Sequence, residues 1–431
     1  MPSQTIWSSC HRRVLLAVAG LALGGCHSSE LKTTPLTFPT ATGAQSADPA
    51  LALDPGTGNL VVSWIEVNGH TWALFVARSA DSGRRWSSPV RVSGGAEAPE
   101  EVHPHGESSP RLVTGPNNQL AVVWPNNIKV EGRRWPAAML RFSRSADGGR
   151  TWSKPITLND DTTGALVSHQ FHGAALVGDS GLTVAWLDER GAAAPIAAGV
   201  DGHADHGIEP DAHIYMTSSP DFGRSWGPNV RAWDAACPCC RVSLARDLDG
   251  QALAAWRQHF PGNVRDVVTA PISRNLAEPK RVHRDDWAYA GCPHSGPAVS
   301  TGADGSTHVV WYTGKQGKAG VYYAKQVADT TTKAAVELVV GQGLGVAHPT
   351  VAALAHGGAL AAYDVSAREK QRISLARLLP DGHLASQTEV DASEGGKYPQ
   401  LVVVDSGTAI IGWTAATGDK SAIRMARISI E

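Results

Sequence analysis

Short apolar runs that end in an aromatic residue recur along the chain and set its predicted architecture. Leu120-Ala121-Val122-Val123-Trp124 and Leu182-Thr183-Val184-Ala185-Trp186 show the pattern: small or β-branched residues, then a ring, with a turn before and a loop and further strand after. The terminal aromatics are Trp64, Trp124, Trp186, Trp256, Trp311, Tyr363 and Trp413. Units of this length cannot bury their own faces and must stack on their neighbours, which is the signature of a propeller. The expected fold is all-β, a β-propeller of four-stranded antiparallel blades. Seven units start near residues 48, 108, 168, 237, 292, 347 and 397, and six remain if the degenerate Tyr363 unit is misread. The last unit runs out of chain after three strands. Its outer strand is expected from Pro35 to Ala41, which would close the ring between the termini and leave no bare edge.

A second repeat, Ser-x-Asp-x-Gly-x-x-Trp, occurs three times: Ser79-Asp81-Gly83-Trp86, Ser145-Asp147-Gly149-Trp152 and Ser219-Asp221-Gly223-Trp226. In a hairpin turn the Asp carboxylate accepts backbone N–H groups, Gly takes a positive φ without a Cβ clash, and Trp fills the space beside the strands. Asp81, Asp147 and Asp221 are therefore expected to be structural. This repeat is the Asp-box, and with the blade pattern it makes the chain resemble sialidase-like Asp-box (BNR-repeat) β-propellers, including exo-α-sialidase-like bacterial lipoproteins. The resemblance covers most of residues 48–431. Sialidases have six blades, so a count of seven departs from the family.

The N-terminus changes the picture of location. His11, Arg12 and Arg13 precede an apolar run from Val14 to Leu23 that is too short to span a bilayer, and the run ends in Leu23-Gly24-Gly25-Cys26. This resembles a lipobox, which implies a signal peptide over 1–25, acylation of Cys26 and a tether through residue 47. By resemblance to lipoprotein sorting, the absence of Asp after the Cys, where His27 stands, implies the outer membrane of a bacterial envelope. Loss of Arg12 and Arg13 leaves 36 Lys and Arg against 40 Asp and Glu. Such a balance, without a clustered basic face, argues against nucleic acid as a partner.

The links from each outer strand to the next inner strand emerge opposite the Asp-box turns. They carry Glu101, His103, His105, Glu107 and Arg111, then His169 and His172, then Cys237-Pro238-Cys239-Cys240-Arg241, Cys292-Pro293-His294, His348 and Tyr398. The loops after the second strands add Asp188, Glu189, Arg190, Arg257, His259, Tyr312 and Asp364 to the same face. One of these loops, about 190–212, is long and holds His203, Asp205, His206 and Glu209. Residues distant in sequence are thus expected around one axial mouth.

Cys237, Cys239, Cys240 and Cys292 admit two readings. In an oxidising compartment one of the first three pairs with Cys292 across the seam between neighbouring blades. Alternatively the thiolates, with His294 and His172 or His348, bind copper or zinc.

The sialidase resemblance implies three arginines clamping a sugar carboxylate, a Tyr nucleophile activated by Glu, and an acid for proton transfer. Candidates are Arg111, Arg241, Arg257 and Arg265, with Tyr312 and Tyr398, and with Asp188, Glu189 or Asp266; Arg257 could instead pair with Asp266. The Phe/Tyr-Arg-Ile-Pro motif that carries the first clamp arginine is missing, because Asp48-Pro49-Ala50-Leu51-Ala52-Leu53 has no arginine. The expected function is a lipid-anchored propeller binding a small ligand or metal at its mouth. Its alternatives are an exo-acting glycoside hydrolase on sialic acid or another acidic sugar, and a non-catalytic envelope scaffold.

Overall fold

The computed structural model describes residues 31–40, 44–68, 71–93, 102–131, 136–161, 166–190, 212–273, 275–327, 335–341, 345–367, 370–418 and 420–430. Among them the chain forms 28 β-strands and one 3-10 turn, Gly106–Ser108. Cys26 and the loop holding His203, Asp205, His206 and Glu209 lie outside the described residues, as does Glu101. No helix among those described is long and apolar enough to cross a membrane.

The strands build antiparallel sheets wound in chain order, so within a sheet strands pair mostly with their neighbours in sequence. The first sheet is Ser46–Leu53, Leu60–Asn68, Thr71–Ser79 and Val90–Ser93; the second is Arg111–Thr114, Leu120–Ile128, Ala137–Ser145 and Ile156–Thr157. An eight-stranded sheet follows. It divides into His169–Val177 through Val230–Ala236 and Ser243–Arg246 through Lys280–Arg281, joined only by the pairing of Ala236 with Gln258. Two further four-stranded sheets start at Ala298–Thr301 and Thr350–Ala353. The last is Gly396–Asp405, Thr408–Thr417 and Lys420–Ser429, with Lys32–Leu36 as its outermost strand. That strand runs from Lys32 opposite Ser429 to Leu36 opposite Met425, so the N-terminal segment pairs earlier than Pro35 to Ala41, and part of the expected tether is sheet.

The recurring aromatics explain why these sheets stack. Trp64, Trp124, Trp186, Trp256, Trp311, Tyr363 and Trp413 all sit in second strands and are essentially unexposed. Each apolar cluster bridges one sheet to the next. Val76 of the first meets Trp124 of the second, Phe142 of the second meets Trp186, and Trp64 meets Ile410 and Met425 of the last. Burying one such side chain contributes several kcal/mol, about 3–5 by the cost of Trp-to-Ala truncation. The inner strands of successive sheets lie side by side, and Gly396–Asp405 lies beside Ser46–Leu53.

The Ser-Asp-Gly turns join third to fourth strands. Ser145 Oγ donates to Asp147 Oδ1 at 2.7 Å and accepts the Gly149 N–H at 2.8 Å, while Asp147 Oδ1 takes the N–H groups of Arg150 and Thr151. The other two turns repeat this around Ser79 and Ser219. Gly83, Gly149 and Gly223 hold φ of 87°, 85° and 81°, a region closed to most side chains.

Candidate functional site

The mouth opposite those turns is shaped by irregular backbone where links become inner strands. Asp48, Phe171 and Tyr398 adopt φ of 57°, 57° and 54°, each within a β-bulge, and His294 adopts 48° in its link. Left-handed backbone at non-glycine residues costs roughly 1–3 kcal/mol and is held only by dense surroundings. Here it turns side chains from separate sheets toward one another. His105 lies 5.4 Å from Phe171 and 6.1 Å from His294 between ring centroids, and Tyr398 lies 4.0 Å from His348. Gly106 is pressed flat on the Tyr398 ring, where a Cβ would fall 2.2 Å from Cδ2.

Charged groups fill the same space. Glu107 is fully buried and ion-paired with Arg241; its Oε2 also accepts the Gly296 N–H at 2.7 Å, and Arg241 donates to the Pro349 carbonyl. Arg111 gives Nε to the His172 carbonyl at 3.1 Å and Nη1 to Ser109 Oγ at 3.0 Å, leaving Nη2 without a partner among the described residues. Burial and the nearby Arg241 push its pKa down to about 10. Asp48 accepts the His105 N–H at 2.6 Å, and burial pushes its carboxyl up to about 6 against the pull of that bond and of Arg111. Burial, then the charges of Glu107, Asp364 and Asp48, raise the Tyr398 phenol, whose hydroxyl makes no hydrogen bond to a described residue. His348 Nδ1 lies 3.0 Å from both oxygens of Asp364.

Next to this group the thiols converge. The sulfurs of Cys237, Cys239 and Cys240 lie within 4.8 Å of one another, as do the ligand atoms of Cys239, Cys292 and His294. No disulfide joins these cysteines. Burial raises Cys239 and Cys240. At Cys237 burial is outweighed by the neighbouring thiols and by Arg265 and Arg257, which hold the thiol well below its usual range.

Of the sequence candidates, Arg111, Arg241 and Tyr398 meet at the mouth and the others serve elsewhere. Arg257 is fully buried and donates to the carbonyls of Ser295, Arg265 and Tyr312; Arg265 donates to the Tyr289 carbonyl and to Cys237 Sγ. Asp266 pairs with Arg281, not Arg257. Asp188 is locked by His169, Arg190 and the Trp186 indole, and Glu189 accepts the Ser168 N–H. Tyr312 packs edge-on against Trp287 in the core. His172 turns to the Val123 carbonyl, with burial pushing its pKa down to about 3, and His348 is committed to Asp364; neither joins the thiols. Asp48 and Glu107 are the residues whose roles the sequence leaves unassigned. Their signal is position alone, one opening an inner strand and one in a polar link. A cleft on the opposite rim, lined by Asp54, Thr57, Arg78, Asn118 and Arg150, gathers guanidiniums, and its Thr57 hydroxyl is spent on Asp54.

No protein-family profile matches the chain. A curated sialidase of Bacteroides fragilis (strain YCH46) is 25% identical over 143 residues, 28% of this chain and 24% of that protein, so the chain spans about a quarter of its length. Among solved structures, the chain is similar to a protein of unknown function from Dyadobacter fermentans DSM 18053, with 13% identity, 93% and 99% of the two chains covered and a TM-score of 0.53. It is also similar to an ulvan lyase (10%, 91% and 95%, TM-score 0.56) and to an α-L-arabinofuranosidase of Fusarium graminearum (10%, 92% and 97%, TM-score 0.51). At these identities the likeness is one of fold, a sialidase-like β-propeller.

Proposed function

We propose that the chain is a closed seven-bladed propeller, anchored in a bacterial envelope through Cys26, whose mouth hydrolyses a glycoside of an acidic sugar. The observation that carries this reading is the juxtaposition of Arg111, Asp48 and Tyr398. An open guanidinium nitrogen, a carboxyl that keeps its proton to about pH 6 and an unengaged phenol share one buried mouth. The guanidinium is suited to the sugar carboxylate. Asp48 protonates the leaving oxygen, because a carboxyl raised by burial is an acid near neutral pH. Tyr398 attacks the anomeric carbon; a neutral phenol approaches an anionic sugar without the repulsion a carboxylate would meet. Glu107 is held by Arg241 and the Gly296 N–H, so the phenol gives its proton to solvent as the bond forms. Water, deprotonated by the Asp48 carboxylate, then displaces the phenolate from the sugar, and the phenolate regains a proton from solvent.

The arrangement differs from a three-arginine clamp, since Arg241 is spent on Glu107 and Arg257 on carbonyls. Recognition therefore rests mainly on Arg111. Release of fluorophore from aryl α-sialosides and aryl uronides tests the proposal. Turnover of at least one, lost in Tyr398→Phe, is expected; no turnover across the panel, or unchanged turnover in that variant, overturns it.

A further inference from the structure

Three cysteines within four residues, around Pro238, fold into a tight turn in which the Cys240 N–H reaches the Cys237 carbonyl at 3.5 Å. Their sulfurs face one another, Cys237 and Cys240 at 3.4 Å, and the three residues are 0%, 4% and 1% exposed. We infer that Cys237, Cys239 and Cys240 form a site for a thiophilic monovalent cation, copper(I), with Cys292 and His294 as its outer station at the mouth.

Three observations carry this. First, the donors are sulfur and imidazole with no carboxylate, a set that selects soft ions. The inner group offers three donors, which suits copper(I); zinc in a closed structural site takes four. Second, charge favours a monovalent ion. Arg265 Nη1 donates to Cys237 Sγ at 3.0 Å, and Arg257, fully buried, has no carboxylate partner among the described residues. Once the sulfurs give up their protons to a bound ion, the guanidiniums beside them already offset part of the thiolate charge, so a singly charged ion suits the site better than a doubly charged one. Third, there is a route. Cys239 belongs to both groups, and the second reaches the half-buried Cys292 and His294, whose ring lies 6.1 Å from His105 at the mouth. An ion captured outside can pass inward by exchange on Cys239. The site is independent of the glycosidase reading.

The test is anaerobic titration of the full reduced chain with copper(I) against a chromophoric chelator. The expected result is one tightly held ion per chain, with affinity lower by about a hundredfold in Cys240→Ser. Uptake several-fold slower is expected in His294→Ala, a rim variant that keeps the inner thiols should Cys240→Ser not fold. Preference for zinc over copper(I), uptake unaffected by either substitution, or two disulfides in the isolated protein with no uptake after reduction would each overturn the assignment.

Discussion

Asp48→Asn separates the chemistry of the mouth from its cost to the fold. A carboxyl raised from 3.8 to about 6 in the folded chain implies a cost of about 3 kcal/mol for ionising it there rather than in the unfolded chain. The residue is 3% exposed, so solvent screening does little to reduce that figure. Between the two values the native state binds more protons than the unfolded one, so stability falls as pH rises through this window. The cost is absent below about pH 4 and complete above about pH 6. Asn cannot ionise, so the variant should match the parent near pH 4 and exceed it by about 3 kcal/mol at pH 8. Denaturant unfolding across this range, read as midpoints at constant slope, measures the difference. A gap independent of pH, or a parent more stable at pH 8, would refute the reasoning. It would mean that attraction to Arg111 outweighs burial, leaving Asp48 no proton to give at neutral pH.

Other expectations follow from the same geometry. Turnover by the parent should fall as pH rises through about 6, and Asp48→Asn should spare substrates whose leaving groups need no proton. Gly106→Ala drives a methyl into the Tyr398 ring, and should reduce kcat by tenfold or more and lower stability by about 1–3 kcal/mol in equilibrium unfolding. Trp311→Ala, in a fully buried second strand, should lower stability by about 3–5 kcal/mol in equilibrium unfolding. Asp147→Ala removes a turn contact on the opposite face and should leave kcat/KM unchanged.

What the sequence makes legible is what depends on local period and local turns. The seven buried rings and the three Ser-Asp-Gly turns fall where their spacing puts them, because neither needs knowledge of a distant partner. The links were also readable as one polar rim. Radial depth was not. Arg257 and Arg265 lie toward the same rim of their sheet as Arg111 does, but in the second and third strands, where a guanidinium meets carbonyls and a thiol instead of the axis. His172 fails for another reason: the bulge between Gln170 and Gly173 shifts the alternation, so Phe171 faces the mouth and His172 faces the second sheet. The pairing of Glu107 with Arg241 spans 134 residues and leaves no local trace.

Trapping the covalent intermediate probes the proposed chemistry most directly. The chain would be incubated with a fluorinated acidic glycosyl fluoride that forms the sugar–enzyme bond quickly and breaks it slowly, then digested and analysed by mass spectrometry. A mass increase equal to the sugar on the peptide containing Tyr398, absent in Tyr398→Phe, is the predicted result. An unlabelled protein, or a label on any other residue, would contradict it.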